Sequence, residues 1–406
     1  MKILVLNSGS SSIKFRLFAD DDWSVLASGA VSRIGEGTGE IRIDWTDADG
    51  ERQSHNRESA VPRHHEGLER IAAALRETGS LTDAAELRAV GHRVVHGGEA
   101  FHAPTLVDDD VIEAIRAMIP LAPLHNPANL DGILVARDLF PEVPQVAVFD
   151  TAFHQTMPRT AYRYALPEYL YREHRVRRYG FHGTSHHYVA NRAAAMLGKP
   201  LEHCSLITLH LGNGASATAI RDGASVDTSM GMTPLEGLVM GTRCGDIDPA
   251  IHFYLAEQLG FDNDTLDDLL NRQSGLLGLC GVNDMREVHR REEQGDENAE
   301  LAVGMTCHRI KKYIGAYYAE LERVDALVFT GGIGENDGEV RERSCAGLER
   351  LGIELDAGLN WEERGGERTV SRPGSAVQVL VIPTDEELEI ARQAHVAATA
   401  TGSPGA

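Results

Sequence analysis

An α/β fold built as two similar domains is what this sequence predicts, and three observations predict it. The chain has 406 residues, more than one hydrophobic core serves well. Strand patterns come first and then alternate with helical ones in both halves. A strand, a turn rich in Asn, Gly and Ser, and a returning strand occur at residues 3–17 and again at 206–220. The identity between these echoes is slight, so the likeness is one of folding grammar.

In the first half, residues 2–6 (KILVL) are a short buried strand. The turn 7–11 follows, and Ile13, Phe15 and Leu17 alternate with polar residues in a second strand. Residues 24–31 and 40–45 extend this antiparallel start, and the polar stretch 46–66 reads as a surface excursion. Helices are expected at 66–78 and 108–118, the latter opened by acids near its positive end. Strands are expected at 88–95 and 145–149. In the second half, strands at 204–211 and 215–220 flank Gly212-Asn213-Gly214. Helices follow by periodicity at 247–259, 263–272 and 297–323. A strand at 325–330 runs into a glycine turn at 331–334, and a last strand at 376–382 precedes a last helix at 385–397. The expected domains are 1–150, joined by helix 385–397, and 151–384, with 398–406 as a flexible tail.

Composition excludes several classes. A net charge of −22 opposes binding to nucleic acid or to an anionic membrane, though local arginines still permit an anionic substrate. The five cysteines form no CxxC pair, which argues against a disulfide framework or structural zinc. Only four apolar residues separate Lys2 from Asn7, too few for a signal-peptide core, and no run is long enough to span a bilayer. The expected compartment is the cytoplasm.

Three glycine-rich turns suit a polyphosphate. Asn7–Lys14 offers small donors and a cation; His210–Gly214 and Thr330–Asn336 let a ligand approach the backbone. An isolated NSGSS or Asn-Gly is more often an ordinary hairpin loop. No Walker loop and no dinucleotide fingerprint occurs. Arg93, in GHRVVHGG, and Arg243, in GTRCGD, sit beside glycines where a guanidinium meets a phosphate or carboxylate; each alone is more readily a surface ion pair. Asp150 ends the strand VAVFD, and the stretch after it reads as non-helical. His182 and His186 lack an HExxH glutamate, which argues against zinc.

Taken in order, NSGSSSIK, GHRVVHGG, PLHNP, FDTAFH, YGFHGTSH, HLGNG, DTSMGMTPLEG, GTRCGDIDP, TGGIGEN and PTDEE resemble the acetate kinase family over nearly the whole chain. The resemblance implies a duplicated actin-like, ribonuclease H-like fold of the sugar kinase, Hsp70 and actin superfamily, two domains with a central cleft. It implies ATP/ADP as co-substrate, Mg²⁺ with Mn²⁺ as substitute, acetate/acetyl phosphate as substrates, and a homodimer. By the resemblance, Asn7 and Glu386 hold the metal, and Lys14 contacts the nucleotide. Arg93 meets the acid's carboxylate, and Val95, Leu124, Phe181 and Pro234 enclose its methyl group. Asp150, His182 and Arg243 are catalytic. His210, Leu211, Gly212, Asn213 and Gly214, then Asp284, Met285 and Arg286, then Gly332, Ile333, Gly334, Glu335 and Asn336, are the nucleotide-binding stretches. The residues leave acetate and propionate both open, because one methylene changes affinity by only about 1–3 kcal/mol. A switch ATPase of this fold would not need Arg93, His182 and Arg243. A sugar kinase would need polar groups where the apolar ones stand.

Overall fold

The structure is a computed structural model that describes residues 1–47, 49–123, 125–362 and 365–400. Two compact units emerge: Met1–Gln155 with the chain from Asp385 onward, and Thr156–Thr384. The first holds an eight-stranded sheet: β1 (Lys2–Ser8), β2 (Ser12–Ala19), β3 (Val25–Ser32), β4 (Glu40–Thr46), β5 (Arg52–Glu58), β6 (Leu87–Val94), β7 (Thr105–Leu106) and β8 (Gln145–Phe149). Their spatial order is β5-β4-β3-β2-β1-β6-β8-β7. The β1 to β5 run is antiparallel, β1, β6 and β8 are parallel, and β7 returns antiparallel.

Period-2 alternation sorts the first unit's side chains onto two faces. Leu4, Leu6, Ile13, Phe15 and Leu17 pack with Leu68, Ile71 and Leu75 of α1 (His64–Glu77) and Ala136 of α3 (Asn126–Leu139). Between those helices in sequence lies α2 (Asp109–Ala117), capped where Val111 N donates to Asp108 Oδ1 at 2.9 Å. On the opposite face Ile3, Val5, Phe18, Ala89, Val146 and Val148 pack with Ile390, Ala391 and Ala394 of the C-terminal helix, Glu386–Ala400. Four of the candidate site residues fall on this second face. Asn7 continues the Ile3, Val5 series, Arg93 the Ala89, Gly91 series, and Asp150 the Val146, Val148 series. Lys14 stands opposite Asn7 in the β1–β2 ladder.

The second unit has six strands: β9 (Ser205–Leu211), β10 (Ala215–Arg221), β11 (Ala224–Thr228), β12 (Ala326–Thr330), β13 (Arg368–Thr369) and β14 (Gln378–Val381), in the order β11-β10-β9-β12-β14-β13. This repeats β3-β2-β1-β6-β8-β7 strand for strand, with the same parallel and antiparallel pairings. The fold is duplicated α/β, and β4 and β5 are additions to the first copy.

Several expectations need correction. Within 46–66 the chain forms β5, whose seven residues are all exposed. No apolar alternation marks it, and it is held by its backbone ladder with β4. The glycine turn at 331–334 is instead a helix, Gly331–Asn336. Helix α3 was not anticipated. After Asp150 a short 3₁₀ turn forms at Ala152–Thr156. The last helix runs to Ala400, and 401–406 of the expected tail lie outside the described residues.

Gly91 sets how closely the C-terminal helix docks. A Cβ there would stand 2.9 Å from Ile390 Cγ2 and 3.2 Å from Ala394 Cβ. Gly91→Val should therefore destabilise the protein by about 1–3 kcal/mol, with partial recovery when Ile390→Ala is added. Thermal unfolding checks this, and an unchanged melting temperature contradicts it.

Candidate active site

In the first unit the strand ends gather an ion cluster. Arg93 donates to Asp150 through Nη2 at 2.7 Å and through Nε at 3.1 and 3.3 Å. This leaves Nη1 outside the pair. Asp150 is only 2% exposed and Arg93 21%. Removing one partner of such a pair strands the other and costs about 3–5 kcal/mol. Glu386 Oε2 lies 3.7 Å from Arg93 Nε. The helix start that carries Glu386 is itself fixed. Asp385 Oδ1 accepts from Leu388 N at 3.0 Å, an N-cap. Arg16 Nη1 donates to the same oxygen at 2.8 Å, and Arg16 Nη2 is 3.8 Å from Glu387 Oε2. Arg16 was not singled out by sequence, although it alternates with Lys14 on the face that bears Asn7.

Burial pushes the Glu386 carboxyl up to about 7, and the charges of Asp150 and Glu387 add to this, while Arg93 and Lys14 oppose it. Burial works against the charge on Arg93 as well, but Asp150 and Glu386 more than restore it and raise its pKa. Negative charge is thus in excess around Glu386. A hard cation relieves such an excess, and Mg²⁺ takes one or two carboxylates with other oxygen donors. Glu386 with the Asn7 amide fits that preference.

The second unit gathers histidines and Arg243. His182 precedes the helix Gly183–Leu197 and has φ +56°, a conformation that costs a residue with a Cβ about 1–2 kcal/mol. Its ring is held on two sides. Nδ1 is 2.9 Å from Ser216 Oγ, and the ring stacks on His210 with centroids 4.2 Å apart. Ser216 Oγ also meets His186 Nε2 at 2.8 Å, and His186 Nδ1 meets Thr208 Oγ1 at 2.7 Å. Ser185 Oγ joins His210 Nδ1 to Thr384 Oγ1, each at 2.8 Å. Thr208, His210 and Ser216 share one sheet face by register. Sequence reading missed Ser185, Thr208 and Ser216; for Thr208 and Ser216 the available signal was polar alternation within two otherwise apolar strands.

Gly214 brings His182 and Arg243 to one point. A Cβ there would lie 3.4 Å from both Arg243 Nη1 and His182 Cε1. Arg243 Nη1 donates to Pro234 O at 3.1 Å. Burial alone lowers its pKa, and among the described residues it has no ion-pair partner. A half-buried guanidinium without a counter-charge is suited to an incoming anion.

The three stretches expected to bind the nucleotide converge in this unit. Leu211, Gly212, Met285 and Ile333 line one small apolar cavity. Gly331 has φ +76°, and a Cβ on it would lie 2.7 Å from Leu211 O, so only glycine lets these turns touch. Glu335 faces inward: its Oε1 accepts from Gly331 N at 3.0 Å and Thr384 N at 3.2 Å. Gly332 and Asn336 are exposed, with Asn336 Nδ2 donating to Gly332 O at 2.9 Å. Asp284 caps the helix Met285–Glu293 and pairs with the exposed Arg286, whose guanidinium holds it down to about 2. Val95 lies buried in the first unit; in the second, Phe181 is buried and Pro234 half-buried. Leu124 lies outside the described residues.

A doubled α/β fold with glycine-edged strand ends, one set bearing an arginine–carboxylate cluster and the other histidines and an uncompensated arginine, defines a phosphotransferase. The chain belongs to the acetokinase family, whose model matches residues 2–392. An acetate kinase of Syntrophobacter fumaroxidans is 55% identical over 394 residues, covering 97% of this chain and 96% of the relative. The crystal structure of Porphyromonas gingivalis acetate kinase matches with a TM-score of 0.91 at 46% identity, over 98% of this chain and 99% of that one. A propionate kinase from Francisella tularensis matches at 0.89 and 44%, over 97% and 98%.

The raised pKa of Glu386 has a definite sign. The folded state holds this proton more tightly than an unfolded chain, whose value is 4.5. Folded stability therefore falls as pH rises from there to about 7, and the penalty persists above. Without divalent metal, Glu386→Gln should melt above wild type at pH 8, by about 1–3 kcal/mol, and converge with it near pH 4.5. Equal melting temperatures at pH 8 contradict the reading.

Proposed function

We propose that this chain transfers the γ-phosphoryl group of ATP to acetate, reversibly, giving acetyl phosphate and ADP. The observation that carries the reading is Arg93, clamped by Asp150 through Nε and Nη2 so that Nη1 is presented to an acid's carboxylate. A carboxylate is already ionised at neutral pH, so its oxygen attacks the γ-phosphorus with no base needed. The bond to the β–γ bridging oxygen breaks, and that oxygen leaves on ADP. Asp150 accordingly orients Arg93 instead of taking a proton. Arg243 and His182 supply positive charge and a hydrogen bond where charge develops on the transferring group, the step at which preorganised donors contribute most. The three glycine stretches hold the nucleotide, and Lys14 contacts its phosphates. Mg²⁺ at Asn7 and Glu386, or Mn²⁺ in its place, would neutralise phosphate charge.

The apolar residues Val95, Phe181 and Pro234 are each contacts for the acyl methyl in this reading, as the family pattern implies. Propionate is the second substrate, favoured by the likeness to the Francisella enzyme named a propionate kinase. We place the protein in the cytoplasm, supported by five free cysteines and by the lack of any described helix long and apolar enough to cross a membrane. The assembly is a homodimer in this reading. Its support is the number of exposed apolar residues on two helices of the second unit, Ile251, Phe253, Tyr254 and Leu259 on one and Leu301 and Met305 on the other.

Purified protein with Mg-ATP and acetate should give an acyl phosphate trapped by hydroxylamine, and acetyl phosphate with ADP should give ATP. No trapped product with any C2–C4 acid overturns the assignment. Arg93→Ala should mainly raise KM for the acid, whereas Arg243→Ala should mainly lower kcat, by about 10²–10³. Near-native kcat in Arg243→Ala removes it from the transition state.

A further inference from the structure

We propose that His289 is a positioning residue for the nucleotide, tying the helix that carries Met285 to the short helix that carries Ile333 and so fixing the slot they line. This rests on the nucleotide reading above and goes beyond it, because His289 lies in none of the nucleotide stretches.

The chain of contacts is continuous. Met285 and His289 are four residues apart on the helix Met285–Glu293, one turn on the same face. His289 Nε2 is 2.8 Å from Asp337 Oδ2. Asp337 N donates to Ile333 O at 2.9 Å, and Asp337 Oδ1 accepts from Val340 N at 2.9 Å, capping the helix Gly338–Cys345. The path returns to the cavity, where Met285 and Ile333 face the same space. The imidazole thus ties this helix to the Asp337 cap, beside the Arg343–Glu292 ion pair and the bond from Arg291 Nη1 to Cys280 O.

The surroundings hold His289 in that role. Its Nδ1 is 3.4 Å from both Glu292 Oε2 and Glu339 Oε2. Arg343 Nη2 spans those two carboxylates at 2.8 and 2.6 Å. The acids are answered by His289 and Arg343, so the cluster is an ion-pair clamp and not a cation site. The hydrogen bond to Asp337 raises the imidazole pKa to about 9, with the Asp337 and Glu339 charges adding and burial opposing. The ring is thus an imidazolium at neutral pH, and the bond to Asp337 is charge-assisted.

Steady-state kinetics on the full chain test this. His289→Ala should raise KM for ATP about tenfold while kcat and KM for acetate stay within about twofold. His289→Gln, which retains a donor, should recover part of the loss. Asp337→Asn keeps the cap oxygen and loses the charge; combined with His289→Ala it should add little, because the two act on one contact. If His289→Ala fails to fold, His289→Gln and Asp337→Asn carry the test. A lower melting temperature with unchanged KM for ATP would make the cluster purely structural and overturn the proposal. Ile333→Arg, placed in the slot itself, should raise KM for ATP further. If it does and the His289 and Asp337 variants do not, the clamp falls alone. If none of them moves KM for ATP, the nucleotide reading falls too.

Discussion

The buried pair of Arg93 and Asp150 is the contact on which the first unit's chemistry depends. Both residues continue the strand faces that pack against the C-terminal helix. Taking two charges out of water is costly, and only good geometry offsets it. Here two guanidinium nitrogens meet one carboxylate. Much of the surrounding structure serves that geometry. Gly91 lets the helix approach, Arg16 and the Asp385 cap fix where it starts, and Glu386 then falls beside the pair. Burial raises the Glu386 pKa, the charges of Asp150 and Glu387 add to it, and a bound cation would relieve both.

The second unit solves a different problem on the same strand order. After β9 and β12 the chain passes into glycines, Gly212 and Gly331, whereas Asn7 and Arg93 lie within the ends of β1 and β6. Its arginine, Arg243, has no carboxylate to balance it among the described residues. One guanidinium is oriented by a carboxylate, and the other by a backbone carbonyl, Pro234 O. The left-handed backbone at His182 belongs with the second arrangement. A residue with a Cβ stays there because Ser216 and His210 fix its ring.

The fold class was legible because the buried strands alternate and the hairpin occurs twice. β5 was not, since seven exposed residues leave no apolar signal. The helix Gly331–Asn336 was hidden by its glycines, of which only Gly331 takes a positive φ in that helix. The candidate site residues were legible through a family pattern of ordered motifs. The groups that hold them in place were not. Ser216 meets His186 across 30 positions, His289 meets Asp337 across 48, and Arg16 meets Asp385 across 369. No local pattern announces a partner at such separations. The odd features at these places were a serine in an apolar strand and a basic residue on the face opposite the main core.

In the proposed reaction Asp150 orients Arg93 and does not act as a base. The pH dependence of kcat and of acetate KM in Asp150→Asn tests it most directly. The account predicts a raised acetate KM and a lowered kcat with a pH profile of unchanged shape, because no proton-accepting group has been lost. An unchanged KM, with kcat collapsing and the acid limb of the profile gone, would contradict it.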